Sequence, residues 1–334
     1  MATEVPKRMR ALIHNQALQT LSLSDSYPVP TVSQDEYLIK VDSVALTNGE
    51  LLWPRPPELN ESHPGVEMAG QVVIAPPMSN FPAGSKVYMR TTFPRPGSAR
   101  EYTLGHENEM ALRPANITAE QAACVPVSGL TAWQALFVHG GCSPQFDAPS
   151  HHPQKSIKKV FVNGSSGGVG LWITQLAHAA GFWVTGSCNA RNAALVREFG
   201  ADEIIDYTTT PISEWINNNP ESKFDLVLDC VGGDSLNQAW HAARENGLVL
   251  SIAPPRDMVW KFTLDRPKGI SNTVEGRFFI MEPNGNHLHR ITELIEAGMA
   301  KPLVDSVWKI EDYQNAFDRL SSGRTTGKVV IQVR

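Results

Sequence analysis

The stretch KKVFVNGSSGGVGLWITQLAHAAG, residues 158–181, decides the fold of a large part of this 334-residue chain. Its apolar residues 160–162 and Asn163 predict a short strand, and the glycine-rich turn 164–170 follows at once. Apolar side chains then recur at helical spacing. They are Val169, Ile173, Leu176, Ala177 and Ala180. Because Gly181 is typical of a helix end, we expect a strand, a tight turn and a helix that packs one face on a sheet.

The turn in this stretch has the chemistry of a pyrophosphate site. Glycines leave backbone N–H groups uncovered, and the positive end of the helix dipole lies at the turn. Ser165 stands in the place of the first glycine of the usual G-x-G-x-x-G pattern, and its hydroxyl is expected to be an additional phosphate donor. We therefore predict that the turn binds a dinucleotide; the alternative is a tight strand-to-helix turn without a ligand. The predicted binding residues are Gly164, Ser165, Ser166, Gly167, Gly168 and Val169.

The segment 187–192 (SCNARN) bears on which dinucleotide binds. About 20 residues beyond such a turn, a carboxylate would bind the ribose diol of NAD and repel the 2′-phosphate of NADP. This segment has no carboxylate, whereas Arg191 and Ser187 offer a guanidinium and a hydroxyl suited to a phosphate, with Asn192 beside them. The segment predicts NADPH as the cofactor. The alternative is that Arg191 merely faces solvent at the start of a helix.

The rest of the chain changes its pattern near Pro126. Up to that point, short β-rich pieces alternate with Pro and Gly, which indicates an irregular, mainly antiparallel domain. Beyond it, apolar runs alternate with segments of helical period, which is typical of βαβ units and a parallel sheet. The predicted boundaries are 1–126 for the first part of the β-rich domain, 127–283 for the parallel-sheet domain, and 284–334 for a return to the first domain.

Composition narrows the classes of function. Hydrophobic residues make up 42% of the chain, charged residues 19%, and the formal net charge is −5. No run approaches the roughly 18 apolar residues of a membrane span. Basic residues are not clustered, so we expect no nucleic-acid and no membrane partner. The N-terminus lacks a signal-peptide pattern, which favours a cytoplasmic location. Four cysteines without CxxC spacing are expected to be small buried hydrophobes. The composition as a whole favours an enzyme with a small-molecule substrate.

Eight motifs, spread over almost the whole chain, carry a family resemblance. They are ALTNGE (45–50), HPGVEMAG (63–70), GSAREY (97–102), PVSGLTAWQAL (126–136), NGSSGGVG (163–170), REFGADEIIDY (197–207), FDLVLDCVGG (224–233) and TTGKVV (325–330). On these motifs the sequence resembles the medium-chain dehydrogenases/reductases, specifically the zinc-independent branch of quinone and enoyl reductases. The resemblance implies an α/β fold, with a Rossmann domain built on a doubly wound parallel sheet and a discontinuous GroES-like β-rich domain. The segment 187–207 is also similar to the trans-acting enoyl reductases of fungal polyketide synthesis, which suggests a role in secondary metabolism.

The same resemblance implies further cofactor-binding residues. Members of the family bind substrate and nicotinamide in a cleft between the two domains. Thr47, Asn48 and Glu50 stand where the family's Asn-Pro-x-Asp stretch lines the nicotinamide end, although the family's Asn is here Thr47 and its Pro is Asn48. Three further positions match residues near the carboxamide, the adenosine and the cofactor as a whole. They are Thr131, Tyr207, and either Arg324 or Lys328.

The resemblance also implies that no catalytic metal is bound. Zinc-dependent relatives use a Cys near the ALTNGE segment, a His within a GHE motif and a later Cys or Asp. Here Thr47 supplies no thiolate and Val66 precedes Glu67 where the histidine would stand, so Glu67 alone remains as a candidate ligand. Because stable catalytic zinc needs three protein ligands, we predict none. His63 is not expected to substitute as a ligand, since the Pro64-Gly65 turn after it should direct it elsewhere.

Without a Lewis acid, a conjugated acceptor is favoured, because an enolate or quinol spreads the charge that zinc would otherwise stabilise. We expect NADPH to reduce an α,β-unsaturated carbonyl or a quinone. The alternatives are a carbonyl reductase or alcohol dehydrogenase, and a redox-silent NADPH-binding protein. The sequence identifies no proton donor: Tyr88 and Tyr102 are expected to be packed aromatic residues.

Two expectations concern the remaining surface. Arg277–Met281 (RFFIM) is expected to form an edge strand. The family resemblance suggests a homodimer joined through this strand; the alternative is a monomer. Trp260, in the stretch 254–275, is a candidate residue at the border of the substrate pocket, as that stretch is in relatives.

Overall fold

The computed structural model describes residues 5–56, 59–146, 158–253 and 262–334, and the chain divides into two units. Unit 1 comprises Met1–Leu130 and Glu282–Arg334, and unit 2 comprises Thr131–Met281. Trp260 lies outside the described residues.

The first part of unit 1 is built from short strands joined by turns. The strands are β1 (Arg8–Asn15), β2 (Thr20–Pro28), β3 (Tyr37–Ala45), β4 (Glu61–Ser62), β5 (Glu67–Ile74), β6 (Lys86–Arg90), β7 (Tyr102–Gly105) and β8 (Met110–Leu112). Two helices follow, α1 (Ala119–Ala123) and α2 (Pro126–Trp133), the second of which crosses into unit 2.

Unit 2 alternates strands with helices, as the spacing of its apolar runs predicts. Its strands are β9 (Lys159–Asn163), β10 (Trp183–Cys188), β11 (Glu203–Asp206), β12 (Phe224–Asp229), β13 (Ala243–Ser251) and β14 (Glu275–Phe278). Its helices are α3 (Gly168–Ala179), α4 (Ala193–Glu198), α5 (Ile212–Asn218) and α6 (Gly233–Ala239).

The C-terminal segment completes unit 1. It contains α7 (Gly285–Glu296), β15 (Val304–Lys309), α8 (Tyr313–Ser321) and β16 (Lys328–Gln332). β16 pairs with β3 in antiparallel register, Ile331 opposite Val44, so the chain's last strand joins a sheet begun near its start.

The sheets have the topology of the predicted fold class. In unit 2, six parallel strands lie in the order β11-β10-β9-β12-β13-β14. In unit 1, a sheet of order β15-β16-β3-β5-β6-β8, with β7 also on β3, is antiparallel except for the β15–β16 pair. A separate three-stranded sheet, of order β2-β1-β4, also belongs to unit 1. The predicted α/β class, a Rossmann sheet with a discontinuous GroES-like β-rich domain, is therefore confirmed.

Helix α3 is more deeply buried than its spacing predicts. Its apolar residues predict one buried face, but every residue from Gly170 to Ala177 is buried. The expected end is observed: Gly181 has φ +79° and its N–H donates to the carbonyl of His178. A glycine takes this left-handed conformation without steric cost.

Strand β14 forms the edge of the parallel sheet, close to the predicted 277–281. Its outer side receives backbone hydrogen bonds from the segment Phe262–Leu264, in which the Leu264 N–H donates to the Gly276 carbonyl. Part of this edge is therefore already paired within the chain, and the homodimer stays a prediction.

The core of unit 2 is closed by Trp240 against β14. Trp240 is among the largest fully buried side chains, and a Cβ added at Gly276 would lie 2.1 Å from its Cη2 atom. Only glycine therefore fits beside this ring.

We expect Gly276→Ala to lower the free energy of unfolding by about 3 kcal/mol, because the buried indole must shift to admit the methyl group. Urea unfolding followed by tryptophan fluorescence measures the change. The matched control is Glu275→Ala at the neighbouring exposed position, which should change stability by less than about 0.5 kcal/mol. Equal midpoints for Gly276→Ala and the wild type would show that the indole is not fixed there.

Candidate functional site

The glycine-rich turn of unit 2 presents backbone donors at the start of a helix. Gly164 has φ +82°, and its carbonyl accepts the Gly167 N–H at 3.1 Å. A Cβ at Gly170 would lie 2.2 Å from the Gly164 oxygen, so the turn closes only around a glycine. The first N–H groups of α3, from Gly168 onward, have no partner within the helix and lie at its positive end. The turn thus has the donors and the space that a pyrophosphate needs.

The hydroxyl of Ser165 is not available for a phosphate, contrary to its expected role as an additional donor. Ser165 is fully buried, and both its Oγ and its backbone N–H donate to the Ser187 carbonyl, at 2.9 and 3.0 Å. The expected phosphate-binding hydroxyl of Ser187 is likewise engaged, because its Oγ donates to Asn163 Oδ1 and accepts the Gly164 N–H. Both serines shape the turn from inside.

Arg191 remains exposed near the position expected for a 2′-phosphate. It lies in a short 3-10 helix, Ala190–Asn192, which is capped by the Asn189 side chain accepting the Asn192 N–H. Tyr207 is half-exposed just after β11, the strand that pairs with β10. Arg191, Asn192 and Tyr207 therefore lie at the carboxyl edge of neighbouring strands, where α/β proteins bind ligands.

One carboxylate at this edge was missed by the sequence reasoning. Asp206 ends β11 in direct register with Cys188, although it lies outside the segment 187–192. Its Oδ1 accepts the N–H and hydroxyl of Thr208, and these bonds hold its pKa below the usual range. The parallel pairing of β11 with β10 brings this carboxylate beside the segment 187–192. The local sequence of β11 does not indicate this proximity.

A buried polar network joins the strand ends beneath the turn. Asp229, at the end of β12, accepts Asn163 Nδ2 and the Ser251 hydroxyl, each at 2.7 Å, and the Gly232 N–H at 3.0 Å. Burial raises the pKa of Asp229. The network links β9, β12 and β13, and it fixes the loop that leaves Asp229. The sequence alone does not indicate this network, because its side chains lie at the ends of separate strands that are distant along the chain.

In unit 1, two of the candidate positions, Thr47 and Lys328, come together around a buried carboxylate. Glu67 is fully buried, and its Oε1 lies 2.7 Å from Lys328 Nζ and 3.5 Å from the Thr47 hydroxyl. Lys328 also donates to Thr47 Oγ1 at 3.1 Å. The other oxygen of Glu67 accepts the Val127 N–H, at 2.7 Å, in the first turn of α2. The ammonium group of Lys328 thus lies between Thr47 and Glu67.

Glu50 is a second buried carboxyl group next to this cluster. It accepts the N–H groups of Thr47, at 3.2 Å, and of Gly65, at 2.9 Å. Burial raises the pKa of Glu50 to about 7, with the neighbouring Glu67 adding to the effect. Glu50 therefore holds the Thr47 loop against Gly65 and titrates near neutral pH.

The other candidate residues fall elsewhere. Asn48 is exposed at the tip of the loop, and Thr131 is buried within α2. Arg324 is exposed, and it does not join the Thr47 cluster in the described part of the chain; Lys328 does. Contacts of these residues with a cofactor stay predictions.

Tyr88, Tyr102 and His63 are packed side chains. The Tyr88 hydroxyl bonds to the Leu288 carbonyl and to Thr292, and burial raises its pKa. Tyr102 is buried, which also raises its pKa. His63 bonds to the Leu12 carbonyl through Nδ1, and burial lowers its pKa to about 3.

The donor set around Thr47 does not fit zinc. Thr47 and Val66 provide neither thiolate nor imidazole, and the carboxylate of Glu67 is neutralised by Lys328. Among the described residues, there is no group of three or more His, Cys, Asp or Glu side chains that could hold a metal ion. Those residues also include no helix long and apolar enough to span a membrane.

The fold and the two sites define the class of protein: a two-unit oxidoreductase in which a Rossmann unit binds a dinucleotide. A family described as "Zinc-binding dehydrogenase" matches residues 199–331. The "Probable zinc-binding oxidoreductase, mitochondrial" of Arthroderma benhamiae is 40% identical over 99% of this chain and 98% of that protein. The chain therefore belongs to the zinc-binding dehydrogenase family of medium-chain dehydrogenases/reductases, which implies a nicotinamide cofactor.

Other relatives support the resemblance to quinone and enoyl reductases. A "Chloroplast envelope quinone oxidoreductase homolog" of Arabidopsis thaliana is 28% identical, covering 91% of this chain and 92% of that protein. A trans-enoyl reductase of Aspergillus terreus is also 28% identical, covering 100% and 98%. The solved quinone oxidoreductase of Coxiella burnetii shares the fold, with a TM-score of 0.78, 22% identity, and coverage of 98% and 100%. The predicted branch of quinone and enoyl reductases is confirmed, whereas zinc independence and the cytoplasmic location stay predictions.

We expect Lys328→Met to lower the free energy of unfolding by about 3 kcal/mol, because it removes the cation that favours the charged form of the buried Glu67 carboxylate. Burial already raises the pKa of Glu67 above its unfolded value. The folded variant therefore holds a proton that the unfolded chain has lost, so its deficit should grow as the pH rises from about 5.5 to 8.

Urea unfolding at several pH values measures this dependence. The double variant Lys328→Met/Glu67→Gln removes both charges and should recover part of the stability. A deficit that is the same at every pH would contradict the assigned ion pair.

Proposed function

We propose that this chain is an NADPH-dependent, zinc-independent reductase of α,β-unsaturated carbonyl compounds or quinones. The observation that carries the proposal is the position of Lys328 between Thr47 and Glu67. In a zinc enzyme of this family, cysteine and histidine would surround a metal there. Here an ammonium group from the chain supplies the positive charge that Glu67 needs.

The proposed acceptor follows from this lack of a Lewis acid. Reduction of an isolated carbonyl group concentrates charge on one oxygen, which a bound zinc ion would stabilise. An enone or quinone distributes the charge, so correct placement and one or two hydrogen-bond donors suffice. When bound, the nicotinamide supplies the hydride. The names of the quinone oxidoreductase and trans-enoyl reductase relatives agree with both acceptor types.

The preference for NADPH is supported by Arg191. Its guanidinium is exposed at the carboxyl edge of β10. A guanidinium binds phosphate through paired N–H donors. Asp206 opposes this preference, because its carboxylate lies in the neighbouring strand and would repel a second negative charge. The preference for NADPH over NADH therefore depends on the opposing effects of Arg191 and Asp206.

The proposed reaction is tested with a matched pair of acceptors, methyl vinyl ketone and its saturated analogue butanone. NADPH should be oxidised at least about a hundredfold faster with the conjugated ketone or with benzoquinone, because butanone requires stabilisation of a localised oxyanion. Nicotinamide absorbance gives the rate. The zinc chelator dipicolinate should leave the rate unchanged. Reduction of butanone that dipicolinate abolishes would instead identify a zinc alcohol dehydrogenase, and NADPH binding without oxidation would identify a redox-silent protein.

The proposed cofactor preference is tested by changing the two opposed charges. Arg191→Gln should weaken NADPH binding about tenfold and leave NADH binding nearly unchanged, because one charged hydrogen-bond donor is lost. Asp206→Asn should strengthen NADPH binding. Nicotinamide fluorescence titration gives both dissociation constants. Arg197→Gln, at an exposed position in the last turn of α4, is the matched control. Equal losses of NADPH and NADH affinity in Arg191→Gln would argue against a 2′-phosphate contact.

A further inference from the structure

Arg55 of unit 1 has a guanidinium that is held in place and not neutralised. It lies shortly after the 3-10 helix Glu50–Leu52, and its Cζ is 5.0 Å from the centre of the Phe93 ring. Its Nη1 donates to the Pro94 carbonyl at 2.8 Å, and Trp53 packs edge-on against Phe93. The stacking and the single hydrogen bond fix the plane of the guanidinium. Arg55 is half-buried and forms no ion pair with any described residue. Its other guanidinium N–H donors are therefore available to a ligand.

Two further arginines near this segment are buried without an ion pair. Arg90 is 5% exposed and Arg100 is 6% exposed, and the Nε of each has no acceptor. Nη1 of Arg90 donates to the Thr91 carbonyl, and Nη2 of Arg100 to the Thr103 hydroxyl. Neither forms an ion pair within the described residues. Buried cations are normally paired, so these two leave a positive field in the interior of unit 1.

The carboxylates of this region are already committed. Glu109 is ion-paired with Arg95, and Glu67 with Lys328. Glu50 attracts both Arg55 and Arg90, but its oxygens accept backbone N–H groups. Its pKa of about 7 leaves it partly neutral at physiological pH. Positive charge therefore exceeds negative charge around the Thr47–Glu50 loop.

Two neighbouring histidines, His14 and His63, have lowered pKa values to which these arginines contribute. Burial is the main cause of the lowered pKa of His14 and of His63, and Arg55 contributes to both. Arg100 lowers the pKa of His63 further. Both histidines are therefore held in the neutral form, and His63 lies within the electrostatic field of both Arg55 and Arg100.

We propose that the acceptor of this reductase carries a carboxylate group, which Arg55 binds while Arg90 and Arg100 supply a favourable field. The inference rests on the proposed function and specifies its substrate class. A planar guanidinium with free N–H donors matches a carboxylate in two parallel hydrogen bonds, and Phe93 and Trp53 offer apolar surface beside it. The carboxylate takes no part in the bond changes. Hydride adds to the β-carbon, the C=C π electrons form an enolate, and a proton from solvent completes the reduction.

The test compares two enals that differ only at a remote position, para-carboxycinnamaldehyde and its methyl ester. The wild type should reduce the acid with a kcat/KM at least about tenfold above that of the ester, since one charged hydrogen-bonded contact is added. Added salt should raise KM for the acid and leave KM for the ester unchanged, because salt screens the attraction.

Arg55→Gln should remove the preference for the acid by raising its KM, with kcat and the ester kinetics unchanged. Arg55→Lys keeps the charge and should retain part of the preference. Arg8→Gln is the matched control, since Arg8 is an exposed arginine of unit 1 that bonds only to the Ser26 carbonyl among the described residues. Circular dichroism verifies that each variant is folded.

The outcomes separate the two proposals. If neither enal is reduced and methyl vinyl ketone and benzoquinone also leave bound NADPH unoxidised, the proposed function fails. If only the two enals are not reduced, the function stands and the carboxylate site is wrong. If both enals are reduced equally, or if Arg55→Gln slows both by the same factor, the function stands and the carboxylate site is wrong.

Discussion

The burial of Glu67 is the constraint on which unit 1 depends. A carboxylate in the interior must be neutralised and hydrogen-bonded, because its transfer from water costs far more than the packing of one side chain returns. Glu67 meets this requirement with the ammonium of Lys328 and the N–H of Val127. These partners come from β16 and from the start of α2, so one charge holds together β5, the last strand and the first turn of a helix. The ion pair thereby joins the C-terminal segment to the first part of the domain, in addition to the backbone pairing of β16 with β3.

That ion pair gives Glu67 a positive partner from the chain itself. A lysine from the C-terminal strand provides the positive charge next to the glutamate. A lysine preserves the electrostatics of the fold but cannot polarise a carbonyl group as a Lewis acid does. The reaction that we propose is accordingly one with acceptors that stabilise their own charge. The carboxylate site that we propose uses the surplus of buried arginine around the same loop to select for the charge of the acceptor.

In unit 2, the structure around the glycine-rich turn leaves backbone N–H donors uncovered at the end of the parallel sheet. Gly164 and Gly170 approach so closely that a Cβ at the second would overlap the carbonyl of the first. Ser165 and Ser187 fill the space beneath the turn: the Ser165 hydroxyl donates to the Ser187 carbonyl, and the Ser187 hydroxyl donates to Asn163. Asp229 joins three strand ends. These buried polar groups hold the turn in place and leave the first N–H groups of the helix uncovered.

The sequence by itself determined the strand, turn and helix at 158–181, the parallel and antiparallel parts of the chain, and the family. These follow from apolar spacing and from glycines within short windows, because local geometry depends on neighbouring residues. Only the tertiary structure decided how the polar side chains are used. It turned the hydroxyls of Ser165 and Ser187 inward, brought Asp206 beside the segment that contains Arg191, and paired Lys328 with Glu67 from the opposite end of the chain. Hydrogen bonds and ion pairs of this kind depend on strand register and burial between distant segments, which no local pattern encodes.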